Sequence, residues 1–154
     1  MRRLMALCVL ITIFSLVSCG KDDVNATEPV IDATHRLAIV IGSQTITATL
    51  YDNPTSRDFI SRLPRTVDLN DYGGMEKVFT PSPELTTYNS PAGMNPQAGD
   101  IALFAPWGNI AIYYRNGTSS GSLIPIGRIE NGINALNVSG TIQNVRFELT
   151  SIEP

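Results

Sequence analysis

Thiols are almost missing from this chain. Cysteine occurs twice in 154 residues, at Cys8 and Cys19, so nothing beyond position 19 can form a disulfide, a thiolate metal site or a cysteine nucleophile. Histidine occurs once, at His35, which is too few for a histidine-rich metal site. It could serve a Ser-His-Asp system only if it fell in the right place. Lysine is confined to Lys21 and Lys77, and acidic side chains outnumber basic ones 14 to 11. Phosphate backbones are held by clustered Lys and Arg, so nucleic acid is not an expected partner. The glycines form no phosphate loop, nucleophile elbow or dinucleotide fingerprint, and no cofactor or metal is expected.

A membrane-spanning run is lacking as well. Leu4 to Val17 is almost wholly apolar but covers only 14 residues, against about 20 needed to cross a bilayer core. It follows Arg2 and Arg3 and ends in Leu16-Val17-Ser18-Cys19, the order of an export signal: basic start, short apolar stretch, small residue before the cut. That ending resembles the lipobox of bacterial lipoproteins, which implies cleavage after Ser18 and a diacylglycerol on Cys19. The alternatives are an ordinary cleaved signal and an uncleaved helix. Attached acyl chains contribute about 0.8 kcal/mol per buried methylene, so two or more anchor a protein that does not itself cross the membrane. Loss of Arg2 and Arg3 would leave nine basic and fourteen acidic side chains, a net of −5.

Gly20 to Thr34 lacks periodicity and mixes Asp, Asn, Thr and Glu with Pro29, the composition of a hydrated tether. As a coil it would span roughly 20 Å. Lys21-Asp22-Asp23 resembles an export signal that carries some Gram-negative lipoproteins to the cell surface, and Gly20 is unlike the usual inner-membrane retention residue. The expected location is the outer membrane, facing either the periplasm or the exterior. The organisation is then a signal at 1–18, a tether at 19–34 and one domain at 35–154.

Within that domain the pattern is short strands. Leu37–Ile41 and Thr45–Tyr51 read as a hairpin about Gly42-Ser43. Further candidates are Thr66–Asn70, Met75–Thr80, Asp100–Phe104, Asn109–Tyr114, Ile124–Glu130 and Ile142–Leu149, separated by Gly73-Gly74, Pro106-Trp107-Gly108, Asn116-Gly117 and Ser139-Gly140. Asn53 caps a short helix with Pro54 at its first position and Phe59, Ile60 and Leu63 on one face. Asn131 to Leu136 has room for a second. Eight strands and two short helices predict a mainly β barrel or sandwich.

Several stretches, taken in order, resemble the cyclophilin barrel and above all its compact prokaryotic relatives: Leu50 to Thr55 with Phe59, Gln97-Ala98-Gly99-Asp100-Ile101, and Ile126-Gly127-Arg128-Ile129 with Asn131-Gly132-Ile133. The resemblance implies a closed eight-stranded barrel. It also implies a groove for peptide or small ligand at Lys77, Met94, Asn95, Gln97 and Trp107. Cyclophilins isomerise X–Pro bonds with an arginine on the prolyl nitrogen. Here the arginine motif falls on Met75-Glu76-Lys77-Val78, and lysine lacks the planar fork. The loop that should bring Trp and His reads Thr118-Ser119-Ser120-Gly121-Ser122-Leu123.

Trp107 has two readings, a plug for one barrel end or an aromatic wall beside Tyr113, Tyr114 or Phe79. Asn116 to Ser122 is a mobile connection or a lid, and the proline-punctuated Pro81 to Pro96 is a candidate binding loop. A non-catalytic binding module is the first expectation. A weakened prolyl isomerase and a structural surface lipoprotein are the alternatives.

Overall fold

The computed structural model describes residues 35–150. The expected signal and tether, with Cys19, lie outside the described residues. The strands are β1 (Arg36–Ile41), β2 (Gln44–Leu50), β3 (Arg65–Tyr72), β4 (Glu76–Phe79), β5 (Asp100–Phe104), β6 (Asn109–Tyr113), β7 (Leu123–Asn131) and β8 (Ile142–Thr150). They close into a barrel in the order β1-β2-β7-β5-β6-β4-β3-β8, every neighbouring pair antiparallel. The eight expected strands are all present, with ends moved by a residue or two. Of the two expected helices, α1 (Pro54–Ser61) is α-helical, whereas the second is a 3-10 turn over Ile133–Leu136. Asn131 belongs to β7 instead, and only four residues remain before the chain turns toward β8.

Side chains alternate across a strand, so one set from each strand fills the barrel. Leu37, Ile39, Ile46, Leu50, Leu69, Phe79, Ile101, Leu103, Ile110, Ile112, Ile126, Val145 and Phe147 are buried there. Each such side chain contributes about 1.5–3 kcal/mol on burial, the main term holding the cylinder shut. Helix α1 closes one end: Phe59 meets Phe147 edge-on at 6.2 Å between ring centres. Its start is fixed by polar contacts. Asn53 Oδ1 accepts from the Ser56 amide at 3.0 Å, Asn53 Nδ2 donates to the Pro125 carbonyl at 2.8 Å, and Ser56 Oγ donates to the Ile126 carbonyl. The 3-10 turn and the segment after it close the other end, with Leu136 in the core.

The remaining motifs of the resemblance are structural too. Asp100 accepts the Gln97 amide at 2.7 Å, which tightens the turn into β5, and it pairs with Arg128 of β7. A Cβ on Gly127 would lie 2.5 Å from the Thr49 carbonyl, so only glycine lets β7 approach β2 there.

β5 and β6 depart from simple alternation, because their outward side chains are covered as well. Ala102, Ala111, Tyr113 and Leu123 form a second apolar cluster on the outer wall, joined by Val78, Met94 and Phe104. Two crossing segments lie over it. Met94 and Ser120 exchange backbone hydrogen bonds at 3.0 and 3.1 Å, Gly93 donates to Leu123, and Gly117 donates to Pro96. A Cβ on Gly117 would sit 2.5 Å from the Tyr113 ring, so this segment rests directly on that tyrosine.

Candidate functional site

Where the covering segments stop, the outer wall opens into a cleft of about 300 Å³ lined by Tyr72, Met75, Glu76, Phe104, Trp107, Asn109, Tyr113, residues 117–120 and Leu123. Strand register builds its floor. Tyr72 of β3 stands opposite Glu76 of β4, and Glu76 stands opposite Tyr113 of β6, so three outward side chains form one row across three strands. Asn109 stands opposite Phe104 further along. Trp107, in the tight turn between β5 and β6, projects beside them and is 62% exposed. Its ring is perpendicular to those of Tyr72 and Phe104, with centroids 5.9 and 5.3 Å away. A smaller adjoining recess shares Tyr72, Glu76, Trp107 and Asn109 and extends along Val78 and Thr80.

Two polar groups sit in this apolar surround. Burial pushes the Glu76 carboxyl above the usual glutamate range, and the hydrogen bond donated by the Tyr113 hydroxyl opposes that only in part. Tyr113 is raised as well, first by burial and then by Glu76. Asn109 is only 8% exposed, yet its Oδ1 is buried with no hydrogen-bond partner. Leaving such a group unpaired costs about 1–3 kcal/mol, so a donor that reached it would be held favourably.

Of the five residues expected to edge the groove, Trp107 lines the cleft and Lys77 does not. Lys77 is turned inward on β4, wholly buried, and its ammonium is fully engaged. It donates to Asp71 Oδ1 at 2.9 Å and to the carbonyls of Val138 and Gly140 at 2.5 and 2.8 Å. Tyr114 adds a hydrogen bond to the same Asp71 oxygen at 2.7 Å. Two-residue alternation is the reason, since Lys77 shares the face of Phe79 and its neighbour Glu76 takes the outer one. Met94 is half-buried in the outer apolar cluster beside the cleft. Asn95 and Gln97 are exposed, and the Gln97 amide folds back onto the carbonyls of Asn95 and Pro96.

Trp107 is no plug for a barrel end, because its ring lies on the outer wall. Residues 118–120 do reach the cleft and present hydroxyls there, pinned by the hydrogen bonds to residues 93–96. Tyr113 lines the floor, whereas Phe79 belongs to the core and Tyr114 to the Lys77 network. Glu76, Asn109, Tyr72 and Phe104 were not anticipated. The signal for Phe104 and Asn109 was the continuous apolar run of β5 and β6, which implies a second covered face.

A larger recess of about 390 Å³ lies near α1, between Tyr51, Pro54, Pro91 and Pro125. Three of its polar side chains are engaged within the fold: Asp52 pairs with Arg57, and Asn53 uses both ends of its amide. Among the described residues, no three metal-ligating side chains converge.

This closed barrel with its outer-wall cleft has a family. The chain belongs to the cyclophilin-like family, whose model matches residues 39–148. The solution structure of a hypothetical protein from Archaeoglobus fulgidus shares the fold, with a TM-score of 0.61 over 76% of this chain and 95% of that one, at 22% identity. No curated protein matches the chain.

Proposed function

We propose that this protein is a lipid-anchored component of the bacterial outer membrane whose barrel is a non-catalytic receptor for a small ligand or short peptide. The observation that carries the receptor reading is Asn109, an amide more than nine-tenths buried, with an unpartnered oxygen, at the floor of an open aromatic cleft. The non-catalytic reading is supported by Lys77. Prolyl isomerisation of the cyclophilin kind needs a cationic donor at the prolyl nitrogen to weaken an amide barrier of about 18–20 kcal/mol. The residue at the arginine's motif position spends all three of its protons inside the barrel. The anchor rests on Leu16-Val17-Ser18-Cys19, and surface exposure on Lys21-Asp22-Asp23.

A protease-coupled assay with a prolyl tetrapeptide anilide should show no acceleration, and acceleration lost in Lys77→Ala would establish an isomerase instead. A short-peptide and metabolite library screened by amide NMR should shift Trp107, Asn109 and residues 117–120 together. A blank screen at those positions would leave the structural reading of the protein standing. Labelled palmitate should enter the wild type and not Cys19→Ala. Protease treatment of intact cells should remove the mature chain if it faces outward and spare it if it faces the periplasm.

A further inference from the structure

The chemistry of the Trp107 cleft is one-sided. Its lining contains a carboxylate and no lysine, arginine or histidine. Glu76 has no ion pair among the described residues, and the one group bonded to it is the neutral Tyr113 hydroxyl. No cationic side chain among the described residues pairs with it. Around it stand the rings of Tyr72, Trp107 and Phe104, with Trp107 perpendicular to both of the others at 5.9 and 5.3 Å. Tyr72 is 47% exposed and Trp107 62%, so ring faces remain open to a ligand.

Perpendicular rings beside a carboxylate suit one class of guest. The face of an aromatic ring is electron-rich and attracts a cation within about 6 Å of its centroid, most strongly a cation that sheds its water easily. An anion would meet Glu76. A neutral guest would bury that carboxylate against apolar surface with only the Tyr113 hydroxyl and no counter-charge, which is costly.

We propose that the cleft holds an organic ammonium ion, with the alkylated nitrogen over the Trp107 and Tyr72 rings and its charge against Glu76. This rests on the receptor reading above and names the class of ligand. The raised pKa of Glu76 adds a consequence: a bound cation stabilises the carboxylate, so binding weakens as pH falls and Glu76 takes up a proton.

Trp107 is the sole tryptophan in the chain, so its fluorescence reports occupancy directly. The probes are choline, tetramethylammonium and n-butylammonium chlorides, compared at constant ionic strength with 3,3-dimethylbutan-1-ol, the uncharged carbon isostere of choline. Choline should bind saturably and at least about tenfold tighter than the isostere, a gap within reach of cation–π and charge pairing in a half-buried site. Glu76→Gln should weaken choline by a similar factor and leave the isostere unchanged. If that variant does not fold, the wild type serves: choline affinity should drop on acidification and isostere affinity should not.

Tighter binding of tetramethylammonium than of n-butylammonium identifies an N-methylated ligand, and the reverse order identifies a primary amine such as a lysine side chain. Equal binding of choline and its isostere, or binding indifferent to Glu76, overturns the proposal. If a library peptide shifts the cleft while no ammonium ion does, the ammonium assignment falls and the receptor reading stands. If neither binds, both fall.

Discussion

Glu76 and Lys77 are neighbours in the chain and stand on opposite sides of the barrel wall. Glu76 faces an open cleft with its carboxyl held above the ordinary glutamate range by burial, and Lys77 is sealed inside with three acceptors. One step along a strand thus separates a group that has no charged partner from one that has every partner it can use.

Lys77→Met should destabilise the domain without touching the cleft. It removes the donor from Asp71 and from two carbonyls at the barrel end. Breaking a buried pair costs about 3–5 kcal/mol, and the partial exposure of Asp71 puts this case at or below about 3. Urea denaturation should show the loss as a lower midpoint with an unchanged slope. Ligand affinity, measured where the variant is folded, should equal that of the wild type.

Two carboxylates should pull stability in opposite directions with pH. The Tyr114 hydrogen bond, then that of Lys77, holds Asp71 below its ordinary value. Its contribution is therefore present above the ordinary carboxylate pKa and lost as pH falls through the folded value. Glu76 is raised, so its protonated form favours the fold, and stability declines as pH climbs from the ordinary glutamate value through the folded one. Urea midpoints taken across pH should show Asp71→Asn flattening the acid limb and Glu76→Gln raising the midpoint at neutral pH. A drop in that midpoint on Glu76→Gln would mean the carboxylate has a partner that stabilises it.

Trp107→Ala should separate binding from folding. With its ring largely in solvent, the substitution should change stability by only about 0.5 kcal/mol, as for surface positions generally. Binding in the cleft, followed by amide NMR in the absence of the tryptophan signal, should fall at least about tenfold.

Gly117→Ala should damage the cleft from its covering side. The added carbon would meet Tyr113 Cε1 at 2.5 Å and Pro96 Cγ at 2.9 Å, so the 117–120 segment must move. Chemical-shift changes should concentrate at Tyr113, Pro96 and residues 117–120. They should spare the strands of the opposite wall, such as β1 and β8.

The barrel was legible in the sequence because its strands are short runs, alternating in most and continuously apolar in β5 and β6, set off by glycine, proline or asparagine. The turn at Gly73-Gly74 is typical: both residues adopt positive φ, and Asp71 Oδ2 accepts the Gly74 amide. The site was legible at Trp107, at Tyr113 and at residues 118–120. Glu76-Lys77-Val78-Phe79 offers two ways to face the core, a glutamate with a valine or a lysine with a phenylalanine. Local pattern does not choose between them. The choice is made 61 residues away, where the Val138 and Gly140 carbonyls wait for the ammonium. Motif correspondence alone set Lys77 in the groove, and the pleat of the strand moved it to the interior.

Since each of the eight strands is hydrogen-bonded on both flanks, the cylinder offers no row of idle amides and carbonyls to an incoming chain. An extended peptide cannot be captured here by strand addition, the route by which open sheets seize ligands and also seed fibrils. Recognition must come through side chains on the wall, and a barrel built this way can be held at high local concentration without polymerising through its backbone.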